Sequence, residues 1–435
     1  DPERPTMSRR PDLALTETRL DSGLRVLCAP LPHTHRAAVT VHVRTGSRFE
    51  PPELGGVSHF LEHMLHRGTP EHPSAHELAL AFEELGSELG AATYVDHAVL
   101  SAEAPPENLD RVIQLLGSVV REPIFSGIDI EKGIVREEIL ESLDDRGEPV
   151  SADELLLSVT FPGHALGRPI TGTIDALDRF DVPTLRRFHR EHYCSEAMVV
   201  SVSGPIDAGA AQASVARAFQ DVPHGPAPAG EAPSRLSGPR FAYVSDPGSQ
   251  TAVRLAFRAP AEGAALEPAT ELLLRTLDDG MSTRLYHRVC DERGLSYDVS
   301  ATYEAFADSG LFTLAGDCAH QRVEELLKTL FGVVRELGDA GPADAEVEKA
   351  KRRFAWQARS MFDSPLELAA FLGLGALTGI SRTPREREDQ LERTTPSDVR
   401  DAARALFVRE GLAVAVVGQL SARVRRSLEA LTNTF

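Results

Sequence analysis

The chain is poor in the residues that would assign it to several broad classes. It has only four cysteines in 435 residues, Cys28, Cys194, Cys290 and Cys318, far apart and with no Cys-x-x-Cys pair. That excludes a disulfide scaffold and a cysteine-rich metal module, and reduced, mostly buried thiols are expected. Positive charge is scarce: 46 Lys and Arg stand against 65 Asp and Glu, a formal net charge of -19. A phosphate-backbone binder needs a clustered basic face, so nucleic acid is not an expected partner. No apolar run reaches the roughly 18 residues of a membrane span. The N-terminal stretch DPERPTMSRRPDLAL has no apolar segment to serve as a secretion signal, which leaves the cytoplasm as the default expectation. Phosphate loops of the Gly-x-x-x-x-Gly-Lys type are missing.

What is present is globular: 42% hydrophobic and 26% charged residues. The length suits two cores of about 200 residues each. The clearest break is Pro223 to Arg240, where proline, glycine and alanine replace any hydrophobic period. Residues 1–222 are expected to form one domain, 223–240 a linker and 241–435 a second domain. In the first, strands are predicted at Leu24–Ala29 and Ala38–Val43, helices near 53–67 and 74–85, strands near 87–103, helices near 106–121, 127–145 and 150–160, then a strand at Met198–Ser203 and a helix to about 220. The second repeats the order, with strands near 241–257, helices near 265–293, strands near 295–316, helices through about 406, a strand at Leu412–Val417 and a last helix. This duplication predicts an α+β fold of two similar halves, each a mainly antiparallel sheet packed with helices.

Between Gly55 and Gly68 the apolar residues Val57, Phe60, Leu61, Met64 and Leu65 recur at helical spacing. The opposite face carries His59, Glu62, His63 and His66. Two imidazoles four residues apart on one face can grip one metal ion, and zinc is the best match for a histidine and carboxylate set with one open position. Glu62 lies close enough to act as general base, while the metal would polarise a peptide carbonyl and acidify a water. The pattern is the His-x-x-Glu-His order of zinc peptidases. The plain alternative is a solvated helix face, and His66, one turn beyond His63, fits a solvated or supporting place.

A third ligand is expected on Ile128–Leu143. Ile128, Val135, Ile139 and Leu143 centre its apolar stripe, Glu131 and Glu138 share one flank, and Glu137 points away. A carboxylate on the core side is costly unless paired or metal-bound. Glu138 is thus the expected third ligand and Glu131 its supporting acid, the alternative being an internal salt bridge to arginine.

Taken together, Gly55–Thr69 and Glu137–Asp145 resemble the metal helix and the downstream Glu-Glu-Ile segment of the pitrilysin and insulinase type zinc peptidases, closest to their short bacterial members similar to mitochondrial processing peptidases. The resemblance also covers Phe161–Gly172, His192–Cys194, Gly280–Tyr286 and Glu292–Tyr297, and it selects the same Glu138 and Glu131. It implies one Zn2+ per chain, a zinc endopeptidase acting on unfolded peptides or short presequences, and a chain that forms one arm of a homodimer or heterodimer. Two positions depart from the pattern. Gly90 stands where relatives carry asparagine on the strand that holds substrate. Glu304 and Phe312 stand where an arginine and tyrosine are expected. A zinc-bearing subunit that needs a zinc-less homologue, or a non-catalytic peptide-binding or structural subunit, are the alternatives. Cys194 near His189 and His192 is read as structural, and His97 beside Asp96 as a hydrogen-bonded hairpin residue.

Overall fold

The computed structural model describes residues 13–435; residues 1–12, most of the stretch read above for a targeting signal, lie outside the described residues. Six strands make the first sheet: β1 (Thr16–Arg19), β2 (Arg25–Pro30), β3 (Ala37–Val43), β4 (Gly90–Thr93), β5 (Ala98–Ala104) and β6 (Met198–Gly204). Their order is β1-β2-β6-β3-β5-β4, with β2 parallel to β6 and the other pairings antiparallel. The short β1 was not anticipated, because its residues TETR carry no apolar alternation. β3 and β6 are buried along their whole length, as expected of strands covered on both faces. One face, with Val39, Val41 and Val43, joins the core made by the half's own helices. Among these are α1 (Val57–Leu65), α2 (Ile128–Glu141), α3 (Ala152–Thr160) and α4 (Val182–His192).

The second sheet has five strands, β7 (Arg240–Val244), β8 (Thr251–Ala259), β9 (Val299–Ala305), β10 (Gly310–Cys318) and β11 (Leu412–Val417), in the order β7-β11-β8-β10-β9. Its helices include α5 (Glu267–Leu277), α6 (Asp344–Ser360), α7 (Pro365–Thr378) and α8 (Pro396–Leu406). The helix predicted over 265–293 is broken after Leu277 by a turn through Gly280, whose φ is 106, and resumes over 284–291 with a π turn. Residues 222–237 carry neither helix nor strand.

The halves exchange helices. α7, from the second half, packs on β3 and β6 of the first sheet, and α3, from the first half, packs on β8 and β11 of the second. Each sheet therefore has its own half's helices on one face and a borrowed helix on the other. Among the described residues no helix is long and apolar enough to cross a membrane.

Candidate metal centre

α1 is shorter than the 53–67 expected, because Gly56 precedes it in a left-handed conformation (φ 90). A β-carbon there would sit 2.5 Å from the Thr171 carbonyl oxygen, so only glycine fits. From Val57 on, Phe60, Leu61, Met64 and Leu65 are buried in the first core, which fixes the helix's rotation and turns His59, Glu62 and His63 toward α2 and β4.

His59 Nε2 lies 3.4 Å from Glu138 Oε1, and His63 Nε2 lies 3.7 Å from Glu138 Oε2. One ligand atom from each of the three residues lies within 4.8 Å of the others. Two nitrogens or oxygens bound tetrahedrally to one zinc at about 2.0–2.1 Å lie roughly 3.3–3.4 Å apart, so the spacing suits a shared ion. The protonation states suit it too. Burial, then the neighbouring His63, pushes His59 down to about 4 against the opposing pull of Glu62, which leaves a neutral imidazole near pH 7. His59 Nδ1 is buried with no hydrogen-bond partner. His63 Nδ1 donates to Glu131 Oε2 at 3.2 Å, which leaves the His63 Nε2 lone pair free on the side of Glu138. Glu131 also accepts from Arg67 Nη1 at 3.2 Å. The chemistry of these donors fits zinc.

The two acids differ from expectation in burial. Glu131 is 6% exposed, whereas the Glu138 side chain is 41% exposed. The buried line of α2 runs through Glu131, Val135 and Ile139, and Glu138 lies beside it at the mouth of the site. The burial cost that pointed to a bound carboxylate therefore applies to Glu131, which meets it with His63 and Arg67. Glu137 is exposed. The Glu62 carboxylate has no hydrogen bond or ion pair among the described residues. His66 donates from Nδ1 to the Glu62 carbonyl at 3.1 Å and stays outside the cluster. Arg67 was missed by the sequence reading; its only signal is its place four residues after His63.

β4 lies beside α1 and pairs with β5 alone, so its outer edge is open. At Gly90 a β-carbon would stand 2.7 Å from Ser101 Oγ, so Ser101 takes the space an asparagine would need. Glu304 is on β9 at an exposed position, near Asp96. Phe312 is fully buried in the second core and has no access to a substrate. Cys194 has no histidine partner: its thiol faces the Glu191 and Pro226 carbonyls, His189 donates to the Val120 carbonyl and His192 to that of Phe188. His97 donates to Asp96 at 2.9 Å and stacks on Tyr94, as a hairpin residue would.

An α+β molecule of two like halves, one of them with two histidines of a short helix facing a carboxylate of a second helix, defines the class. Residues 25–174 match the model described as Insulinase (Peptidase family M16), and residues 179–354 match the one described as Peptidase M16 inactive domain. The chain is 31% identical over 404 residues to a protein of Mycobacterium tuberculosis described as an uncharacterized zinc protease, covering 91% of this chain and 92% of that one. It belongs to the M16, or insulinase, peptidase family. Among solved structures, a Pseudomonas fluorescens protein described as a peptidase M16 inactive domain superposes with a TM-score of 0.87 at 22% identity, over 94% of this chain and 98% of that one. A protease from Helicobacter pylori superposes at 0.86 and 19%, over 93% and 99%. These two likenesses concern the fold.

Proposed function

We propose that this chain is a zinc-dependent endopeptidase of extended or unfolded peptides. The observation that carries the reading is the convergence of His59 Nε2, His63 Nε2 and a Glu138 oxygen, with the Glu62 carboxylate on the helix of the two histidines left without a partner among the described residues. A scaffold has no physical need for three ligands and a free base together. His59, His63 and Glu138 would hold the ion, which when bound supplies Lewis acidity toward a peptide carbonyl and toward water. Glu131 holds the His63 tautomer and ring, backed by Arg67. Glu62 takes a proton from the attacking water and delivers it to the departing amine nitrogen. The open edge of β4 offers backbone N–H and C=O groups to an extended chain, which an already folded substrate could not present.

The test compares wild type with Glu62→Gln for zinc content and for cleavage of a quenched fluorescent peptide library. The expected result is about one zinc per chain in both, and a fall of ~10²–10⁴-fold in cleavage for the variant. Wild type without zinc would end the proposal.

A second reading makes this chain the zinc-bearing subunit of a heterodimer with a zinc-less homologue. It is favoured by Phe312, which lies in the core and has no reach into a site, and by the acidic Glu304. Wild type that binds zinc and cleaves only after a partner is added would select it over a self-sufficient homodimer. Zinc binding with no hydrolysis under any pairing would select a non-catalytic peptide-binding subunit.

A further inference from the structure

Helices that begin inside a protein need acceptors for their first backbone N–H groups, and the N-cap side chain ordinarily provides one. The N-cap of α1 is Gly56, which has no side chain and tolerates none, because the Thr171 carbonyl fills the space. The acceptor comes from six residues upstream. Glu50 is 5% exposed, and its two carboxylate oxygens accept from Gly56 N and Ser58 N, each at 2.8 Å. Burial raises this carboxyl while the two N–H groups and Arg168 oppose the rise. Arg168 Nη1 in turn donates to the Glu50 backbone carbonyl at 2.9 Å.

A bidentate grip on two N–H groups two residues apart does more than satisfy them. It fixes the rotation of the first turn, and the next residue after Ser58 is His59. The Ser58 hydroxyl adds a second hold, accepting from Gly46 N at 3.1 Å. The segment that carries Glu50 is itself tied across the molecule. Arg48 is buried, pairs with Asp308 in the hairpin between β9 and β10, and donates to the Glu231 carbonyl at 2.9 Å in the segment between the halves.

We infer that Glu50 is a positioning residue for the metal helix, setting the direction of His59 and Glu62 through the first turn of α1, and that the Arg48–Asp308 ion pair extends this hold to the metal-free half. The inference rests on the peptidase reading for its catalytic consequence, whereas the seat of the helix stands without it.

The experiment uses full-length wild type, Glu50→Gln and Asp308→Asn, all well below their unfolding temperatures. Four quantities are read: amide exchange of residues 57–60 in zinc-free protein, zinc affinity by chelator competition, and kcat and KM on one peptide. For Glu50→Gln, faster exchange in that turn, zinc affinity weaker by about 10-fold, and a loss in kcat with KM within about twofold are expected. Asp308→Asn, whose side chain is partly exposed and which keeps an amide oxygen for Arg48, should give the same pattern at two- to threefold. Glu50→Gln with wild-type exchange, affinity and kcat overturns the proposal, and so does loss confined to thermal stability. If Glu50→Gln fails to fold, Asp308→Asn decides, wild-type values there sinking the inference. Wild type that binds no zinc ends the peptidase reading instead, and the exchange measurement still judges the seat.

Discussion

The two halves place the same helix in the same surroundings and use it differently. α1 follows the central strand β3 and packs against β4, α2 and α4; α5 follows β8 and packs against β9, α6 and α8. On α1 two residues four apart are His59 and His63. On α5 the pair at the same spacing is Glu271 and Arg275, joined at 2.9 Å. Arg275 is saturated: it also reaches Asp279 at 3.3 Å, donates to Gln357 of α6 at 2.6 Å and lies over the Phe354 ring. α6 stands where α2 offers Glu138 to the histidines. On α5 and α6 the polar groups close on one another, whereas α1 and α2 turn two imidazole nitrogens and a Glu138 oxygen toward one point and, among the described residues, leave the Glu62 carboxylate without a hydrogen bond or ion pair. Unmet donors and acceptors on a rigid helix mark a place for a ligand; met ones mark structure.

Breaking the closed half should cost stability and spare zinc. At the start of α5, Glu267 is buried and gripped by both terminal nitrogens of buried Arg387, with Arg382 at 3.6 Å. Arg387→Met leaves that carboxylate without its main partner, and a loss of about 3 kcal/mol in urea unfolding is expected, at the low end for a broken buried pair because Arg382 remains. Zinc content should not change. A loss under about 1 kcal/mol would mean the second network is not the structural element described here. A smaller loss, about 1–3 kcal/mol, is expected from Gly373→Ala in α7, whose new β-carbon would lie 2.3 Å from His42 Cδ2. Unchanged stability would mean that the borrowed helix shifts freely on its sheet.

Breaking the open half should do the reverse. Glu131→Gln replaces one of the two acceptor oxygens by an NH2 donor, so His63 Nδ1 and Arg67 Nη1 can no longer both be held, and it removes the charge opposite Arg67. Zinc affinity is expected to fall ~10–100-fold, about 1.4–2.7 kcal/mol. Gln357→Ala, at the matching contact in the second half, should leave affinity unchanged. Equal effects of the two would erase the distinction between the halves.

How far the sequence carried differs between these regions. α1 was legible because its apolar period and its histidine spacing are local, and the two-half plan because the order of elements repeats. Glu138 was reached through helical projection on the flank of α2, although the flank's buried acid proved to be Glu131; the projection fixes a direction and leaves open how far a neighbouring helix extends over it. Glu50, Arg48 and Arg67 were not legible. Their partners, Gly56 and Ser58, Asp308, and Glu131, are chosen by the fold at no regular spacing. The exchange of α3 and α7 was hidden for a similar reason. PLELAAFLGLGALT reads as a helix to be buried, with glycines that permit close approach, but nothing in it names the sheet it covers.

The two exchanged contacts supply the smallest effect. Under α3 the second sheet presents Ala256, Ala413 and Ala415, with Arg254 and Arg258 beside them bonded to Asp153 and to the Thr160 carbonyl of α3. Under α7 the first sheet presents Leu27, Ala29 and Val199 and, beside them, the buried Thr40, His42 and Ser201, whose side chains have no hydrogen-bond partner among the described residues. Burial, with His97 adding to it, pushes His42 down to about 3, so the ring is neutral in the fold and is protonated in the unfolded chain below its ordinary 6.5. Between those values the unfolded state binds more protons. The stability His42 allows is therefore fully present above pH 6.5 and is lost as pH falls toward 3. His42→Leu removes the titrating ring, so the wild-type curve should fall relative to the variant's by on the order of 1–2 kcal/mol between pH 7 and pH 5. Other buried histidines, such as His189, titrate equally in both proteins and cancel in the difference. Parallel curves would mean that the His42 ring finds a proton acceptor at this seam, and that the unpartnered polar groups under α7 do not set it apart from the bonded ones under α3.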